Sequence, residues 1–298
     1  MEKTKERHDH PMKVRQARGD RAFGLLNTAL LTLFCLFVLF PLVHMLAVSF
    51  SGGYHVLRGE VTFWPKGMTL YTYRSLLSDN SIPHAYWNTI RYTFLGTALA
   101  IFMTSICAYP LSRPKFFGRK FFSFLAIFTM LFNVGMVANF MVVYSLGLKN
   151  TIYAILFPTA INVYNMVIMR TFFQGIPEEI YESANLDGAN DLRTFFQIIL
   201  PISKPVIASI VLFYAVGKWN EFMPALLYMD NKKDYPMQMI LRNIVLSSQA
   251  TDTSTDSALV GQSLKYAAIF ITIAPILAVY PFLQKFFTKG IMIGSLKG

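Results

Sequence analysis

"YESANLDGANDLRTFFQIILP", residues 181–201, is a polar and heavily punctuated segment lying between two long apolar runs. Its surroundings set the fold class. The 298-residue chain is 54% hydrophobic and only 14% charged, and the charges are gathered between segments that are almost free of them. A soluble domain of this length would show amphipathic periodicity with a charge every few residues. A membrane-crossing helix needs about 20 consecutive apolar residues, and six runs qualify, at about 23–49, 87–111, 121–146, 152–173, 205–229 and 264–287. The chain therefore reads as an all-α integral membrane protein with six transmembrane helices. A basic tail (1–22) precedes the membrane domain (23–287), and a short tail (288–298) follows it. No internal repeat is evident.

The formal net charge of +11 follows the same division. Lys3, Lys5, Arg7, Lys13, Arg15, Arg18 and Arg21 precede the first run, and Arg113, Lys115, Arg119 and Lys120 follow the second. Arg170, Arg193 and Lys204 flank the opening segment, and Lys285, Lys289 and Lys297 lie near the end. Such alternation reflects topology and not nucleic-acid binding: the basic loops and both termini are expected in the cytoplasm. External connections then fall at about 50–86, 147–151 and 230–263. The first of these mixes Gly52, Gly53, Pro65 and Gly67 with Tyr54, Phe63, Trp64, Tyr71 and Tyr73. Those rings suit an interfacial aromatic belt or a docking surface for an external protein. The first run is too long for a signal-peptide core, although Ala47-Val48-Ser49 imitates a cleavage site. Cys35 and Cys107 both fall inside apolar runs and imply neither a disulfide framework nor a metal site. His8, His10, His44, His55 and His84 show no zinc-ligand spacing.

Within the loop 175–203, Pro177 is placed to open a helix, Glu178 and Glu179 suit its positive N-terminal end, and Gly188 suits its stop. The expected helix is about 177–187. Asn190 or Asp191 can cap a second helix, whose Leu192, Phe195, Phe196 and Ile199 recur at the spacing of one apolar face. Pro201 then ends or bends it. The result is a cytoplasmic helix-turn-helix. Its first helix has Ile176, Ile180 and Ala184 on one side and Glu182 on the other. Helices that rest on a membrane surface carry Lys and Arg on the polar face, whereas this one offers Glu178, Glu179, Glu182 and Asp187. Anionic lipid would repel it, so a protein partner is the expected occupant.

At these residues the chain resembles a known family. Glu182-Ser183-Ala184, three residues, Gly188, nine residues and Ile198-Ile199-Leu200-Pro201 resemble the EAA-x3-G-x9-I-x-L-P loop of permease subunits of binding-protein-dependent ABC importers. Ser183 stands where that family usually has Ala. The resemblance implies the type I importer permease fold, with this loop as a coupling helix seated in a cleft of a cytoplasmic ATPase. By the same resemblance Glu182 contacts the ATPase, Ala184 packs in its cleft and Gly188 permits the turn, while Ser183, Asp187, Leu200 and Pro201 complete the coupling loop. The chain has no G-x4-GK-[ST] phosphate loop, so it is read as a non-enzyme without a cofactor. The implied partners are a second permease subunit forming a heterodimer, two ATPase subunits, an extracytoplasmic solute-binding protein and membrane lipid, in a bacterial inner membrane; nucleic acid is not among them.

"GKWNEFMPALLY" (217–228), "DYPMQMILRNIV" (234–245) and "KGIMIGSLKG" (289–298) resemble the carbohydrate-uptake branch, in particular the smaller partner of maltose-type pairs and its lipoprotein-and-polysaccharide group. The implied cargo is a carbohydrate, an oligosaccharide. Lys218 and Glu221 stand about 20 Å along the fifth run from Pro205 at helical rise. Intramembrane ionisable residues face a bundle interior or a watery cavity, and their spacing also permits a mutual salt bridge. Trp219, Asn220, Glu221, Asn133, Asn139, Tyr144, Asn162 and Asn165 are candidates to line a translocation path, with Tyr164 and Tyr228 beside them. Packing and interhelical hydrogen bonds are the competing account. An ion-driven secondary transporter is the rival class, motivated by Lys218 and Glu221; a membrane-embedded enzyme has no nucleophile, base or metal constellation behind it.

Overall fold

The computed structural model describes residues 18–132, 134–250 and 261–279. The basic tail before Arg18, Asn133 and the C-terminal tail lie outside the described residues. In chain order the helices are α1 (Arg18–Ser49), α2 (Gly53–Leu57), α3 (Tyr71–Ser78), α4 (Ser81–Ser112), α5 (Arg119–Leu131), α6 (Gly135–Ser145), α7 (Ile152–Leu156) and α8 (Val163–Gln174). There follow α9 (Glu178–Leu186), α10 (Asp191–Thr194), a π-helical turn (Phe195–Ile199), α11 (Leu200–Ile202), α12 (Lys204–Asn220), α13 (Met223–Tyr228), α14 (Met237–Ala250) and α15 (Gly261–Val279). No strand occurs among the described residues.

Among the described residues, three helices are long and apolar enough to cross a bilayer without interruption: Ala22–Ser49, Ser81–Ser112 and Gly261–Val279. The other expected spans are divided, each beside a glycine or proline. The third changes direction by 115° between α5 and α6, where Gly135 adopts φ +82°, a left-handed conformation that ends right-handed winding. The fourth is broken between α7 and α8, and Pro158 there has no N–H to offer the Ala154 carbonyl. The fifth is broken at Glu221, which is extended at φ −79° and ψ 124°; Pro224 cannot donate to Asn220 and sits in the first turn of the new helix α13, where no such bond is needed. The second span also begins earlier than the hydropathy suggests, at Ser81, because its first turns are polar and lie above the apolar run.

The centre of the molecule is α4, which packs against α12 and α8 and touches α3, α5, α7 and α14. Gly96, Ala100, Thr104, Ala108 and Ser112 recur every fourth residue and are all buried. Small side chains in that register let helix backbones approach closely where no hydrophobic driving force separates helix from lipid. Against this face lie Met166, Met169 and Phe173 of α8 and Ile210 and Tyr214 of α12. By contrast α1 exposes its apolar side chains from Phe23 to Leu46, burying only its last turn through Ala47 and Val48. Such a surface is stable only against lipid or another membrane subunit.

On the side expected to face outward, the connecting segments are fastened by hydrogen bonds. Ser49 and Tyr73 share one at 2.8 Å, the Lys66 amide donates to Ser51 Oγ, and Asn88 donates to the carbonyls of Lys233 and Tyr235. Asp230 accepts from Asn150 at 2.9 Å and pairs with Lys149 at 2.9 Å. The Asn150 hydrogen bond, more than the Lys149 charge, holds the Asp230 carboxyl below its ordinary pKa.

Candidate functional site

The loop that opened the sequence folds as a short helix, a tight turn and a bent second helix. Glu178 and Glu179 occupy the first turn of α9, where the unpaired backbone N–H groups favour negative charge. Asp187 closes the helix. Gly188 follows at φ +71°, and the Gly188 and Ala189 amides return to the Asn185 and Ala184 carbonyls at 3.0 and 2.9 Å. Asn190 then caps α10, its side chain accepting from the Arg193 amide at 2.8 Å. The π turn Phe195–Ile199 and the flanking Pro201 and Pro205 lead into an 81° change of direction between this segment and α12. Each proline withholds one N–H from the helical ladder.

An added side chain at Gly188 would meet no atom within 4 Å, so only backbone conformation resists substitution there. Valine in that conformation costs about 1–2 kcal/mol, while asparagine tolerates it. Gly188→Val is expected to lower the thermal midpoint of the detergent-solubilised complex by a few degrees and Gly188→Asn to leave it near wild type. Differential scanning fluorimetry of both variants checks this.

The faces of α9 are sharply divided. Tyr181 and Ala184 are turned into the chain's own core, at 3% and 2% exposure. Glu179, Glu182, Ser183 and Asp187 are exposed, and Leu186 projects at 89% exposure. The surface free to meet a partner is therefore Glu179, Glu182, Ser183 and Leu186, at helical spacings of three and four residues, while Ala184 supports it from behind. Leu186 was not singled out from the sequence; the available signal was its position four residues after Glu182, on the acidic face. In the second helix Phe195 and Ile199 are buried whereas Leu192 and Phe196 are exposed, so the expected single apolar face is split by the π turn. Leu200 is half-buried and Pro201 exposed.

Behind α9 stands Arg113, the C-cap of α4. Its guanidinium donates to both Glu178 oxygens, at 3.2 and 2.8 Å, and lies 3.5 Å from the centre of the Tyr181 ring. Burial pushes the Tyr181 phenol above its ordinary pKa, with the Arg113 charge acting in the opposite direction. The ring that faces the cation therefore stays neutral.

A second polar group sits inside the helix bundle, where the interrupted fourth and fifth spans meet α4. Lys218 pairs with Glu221 at 3.0 Å and donates to Thr159 Oγ1, which lies in the break before α8. Gly96 leaves room for the lysine stem: a Cβ there would come within 3.1 Å of Lys218 Cδ. Tyr214 accepts from the Asn162 amide at 2.9 Å and shares a 2.7 Å hydrogen bond with Thr104. Asn162 in turn caps α8 by accepting from the Asn165 amide. The space between Lys218, Glu221, Thr89 and Tyr92 is about 10 Å³, enough for one water and far too small for a sugar ring.

The path candidates consequently fall into groups. Asn162, Asn165 and Glu221 belong to the polar seam at the helix breaks, with Asn165 buried. Trp219 donates to the Thr272 carbonyl of α15 at 3.3 Å. Asn220 accepts from Gln238 of α14 at 3.2 Å and remains exposed. Asn139 and Tyr144 are exposed on α6, separate from the seam, and Asn133 lies outside the described residues. Lys218 and Glu221, the residues behind an ion-driven reading, neutralise each other.

A family model described as binding-protein-dependent transport system inner membrane component matches residues 96–293. The chain belongs to that family. The permease is 41% identical to the polygalacturonan/rhamnogalacturonan transport system permease protein YtcP of Bacillus subtilis, over 94% of its own length and 99% of the relative's. It is 40% identical to Protein LplC of the same organism, with 96% and 98% covered. Among solved structures it superposes with a TM-score of 0.83 and 33% identity on a chain of a bacterial ABC transporter that imports the acidic polysaccharide alginate, covering 91% of the permease and 99% of that chain. The permease is thus a membrane component of an ABC importer, a non-enzymatic subunit that works with ATPase and solute-binding partners.

Proposed function

We propose that this subunit forms, with a second and different permease subunit, the translocation path for an oligosaccharide carrying uronate groups, driven by two ATPase subunits, one of which grips α9. The observation that carries the reading is the acidic, exposed face of α9 tipped by Leu186, built from the permease loop and backed by Arg113 and the buried Tyr181 and Ala184. A helix with that face fits a socket that is basic at its rim and apolar at its centre. Cytoplasmic placement of the loop, and hence of both termini, rests on the basic residues that flank it.

The cargo class is drawn from two similar proteins, one named for polygalacturonan and rhamnogalacturonan and one for alginate. The polar seam has no room for sugar, so the path is assigned to the face shared with the second permease, where Asn139, Tyr144 and Asn220 are exposed. Asn162 and Glu221 hold the broken helices that shape this face. ATP binding and the loaded binding protein both favour the outward-facing state, since a ligand shifts an equilibrium only through differential affinity.

The test is uptake into proteoliposomes containing both permeases, the ATPases and the binding protein. Trigalacturonate is expected to accumulate only with internal ATP, and its methyl ester to accumulate several-fold less. Accumulation driven by a proton gradient without the ATPases, or preference for the uncharged ester, would overturn the proposal.

A further inference from the structure

We infer that Arg113 is a positioning residue that locks α9 to α4, so that displacement of the coupling helix by an ATPase is delivered to the central helix of the membrane domain. The inference rests on the coupling role proposed for α9 and adds the linkage that transmits the motion.

A helix seated by packing alone can slide and roll over its neighbour. Here Arg113 makes two different contacts one helical turn apart. Its fork is bidentate on Glu178, which sets height and direction, and its planar face lies on the Tyr181 ring, which sets roll. Only a guanidinium satisfies both: an ammonium is a point charge without the fork or the flat face. The Arg113 side chain is 22% exposed and Glu178 50% exposed, so the partners are held from the inner side and leave the docking face of α9 free.

The other end of the linkage is equally fixed. Arg113 caps α4, and Tyr109, one turn earlier, packs on Phe195 with ring centres 4.9 Å apart and edge-on to Phe173 at 6.3 Å. The last turn of α4 therefore holds α9, the end of α8 and the π turn together. From there the small-residue face of α4 runs into contact with α8 and α12. Movement at Glu178 reaches the walls of the membrane domain through one continuous helix. Packing of Tyr181 and Ala184 remains without Arg113, so the loop still folds; what is lost is a single orientation.

The experiment uses the assembled complex in nanodiscs, with Cys35→Ser and Cys107→Ser and spin labels on Asn185→Cys at the exposed side of α9 and Ile106→Cys on α4. With Arg113 present, the distance distribution is expected to be narrow and the same with and without ATP. Arg113→Ala is expected to broaden it at least twofold and make it shift on ATP addition. Arg113→Lys should fall between. The charge exchange Arg113→Glu with Glu178→Arg restores the ion pair without the Arg113 face on Tyr181 and, compared with Arg113→Glu alone, should recover part of the narrow distribution, which a general loss of folding would not do. Distributions unchanged in Arg113→Ala, or no recovery in the exchange, would overturn the linkage. The coupling role of α9 fails on a different result, unaltered transport in Glu182→Arg, so the two failures are separable.

Discussion

Proteoliposomes carrying Glu182→Arg are expected to lose sugar-stimulated ATP hydrolysis and uptake by roughly 30-fold or more, while the permease itself unfolds at the wild-type temperature. Glu182 is exposed on α9 and makes no ion pair among the described residues, so its reversal removes nothing from the fold. Its proposed partner is a cation on the ATPase. Truncating one member of a hydrogen-bonded charge pair at an interface costs about 2–5 kcal/mol, and reversal adds repulsion between like charges. A cost of 2 kcal/mol already corresponds to about 30-fold in affinity. The measurement pairs ATPase activity with thermal unfolding of the isolated permease. Activity that survives at the wild-type level would remove the coupling assignment; a lowered unfolding temperature would mean that Glu182 serves the fold.

Lys218→Met should be the most damaging single change to stability in the membrane domain. The lysine side chain is 5% exposed and its partner Glu221 24% exposed. Removing the cation leaves a carboxylate uncompensated within the helix bundle, which costs about 3–5 kcal/mol where burial is complete. The partial exposure of Glu221 places the expected loss near the lower end. It would appear as poor recovery of folded permease from membranes and a marked fall in thermal midpoint. The double variant Lys218→Met with Glu221→Gln is expected to regain most of that loss, because neither side then holds an unpaired charge. It should also retain ATP-driven uptake. A proton-relay role for the pair predicts the reverse, a stable double variant that no longer transports.

These two experiments probe features of different legibility. The coupling loop was readable because its punctuation is local: Gly188 is required by a left-handed turn, Asn190 by an unpaired amide, and Glu178 and Glu179 by the charge of a helix end. Each of those constraints acts within four residues. The division of faces on α9 was only half readable. Spacing placed Ala184 opposite Glu182, but whether Ala184 faces an ATPase or its own subunit depends on how α9 seats on the rest of the chain, which includes the contact of Glu178 with Arg113, 65 residues earlier. The fold buries Ala184 and leaves Leu186 exposed.

The membrane spans show the same boundary. Hydropathy found where the chain lies in the bilayer, since apolar composition over some twenty residues is all that lipid demands. It missed the interruptions at Glu221 and before Asn162, because a short break inside a long apolar run scarcely changes mean hydropathy. Pro158 and Pro224 marked both places, yet a proline in a membrane helix can equally be absorbed as a kink when neighbours satisfy the freed groups. The outcome here was decided by partners distant in sequence: Lys218 reaches Thr159, and Tyr214 reaches Asn162 and Thr104.

By itself the sequence determined the all-helical membrane class, the expected sidedness from its basic loops, the coupling loop with its caps and turn, and the family. Those properties depend on composition, on charge placement or on residues within one or two turns of each other. Only the tertiary structure decided which side of α9 is free, that Arg113 fastens it to α4, and that Lys218 with Thr159, and Tyr214 with Asn162 and Thr104, bind the broken helices together. The contacts behind these outcomes join residues tens of positions apart, and such contacts are set by helix packing along the small-residue face of α4.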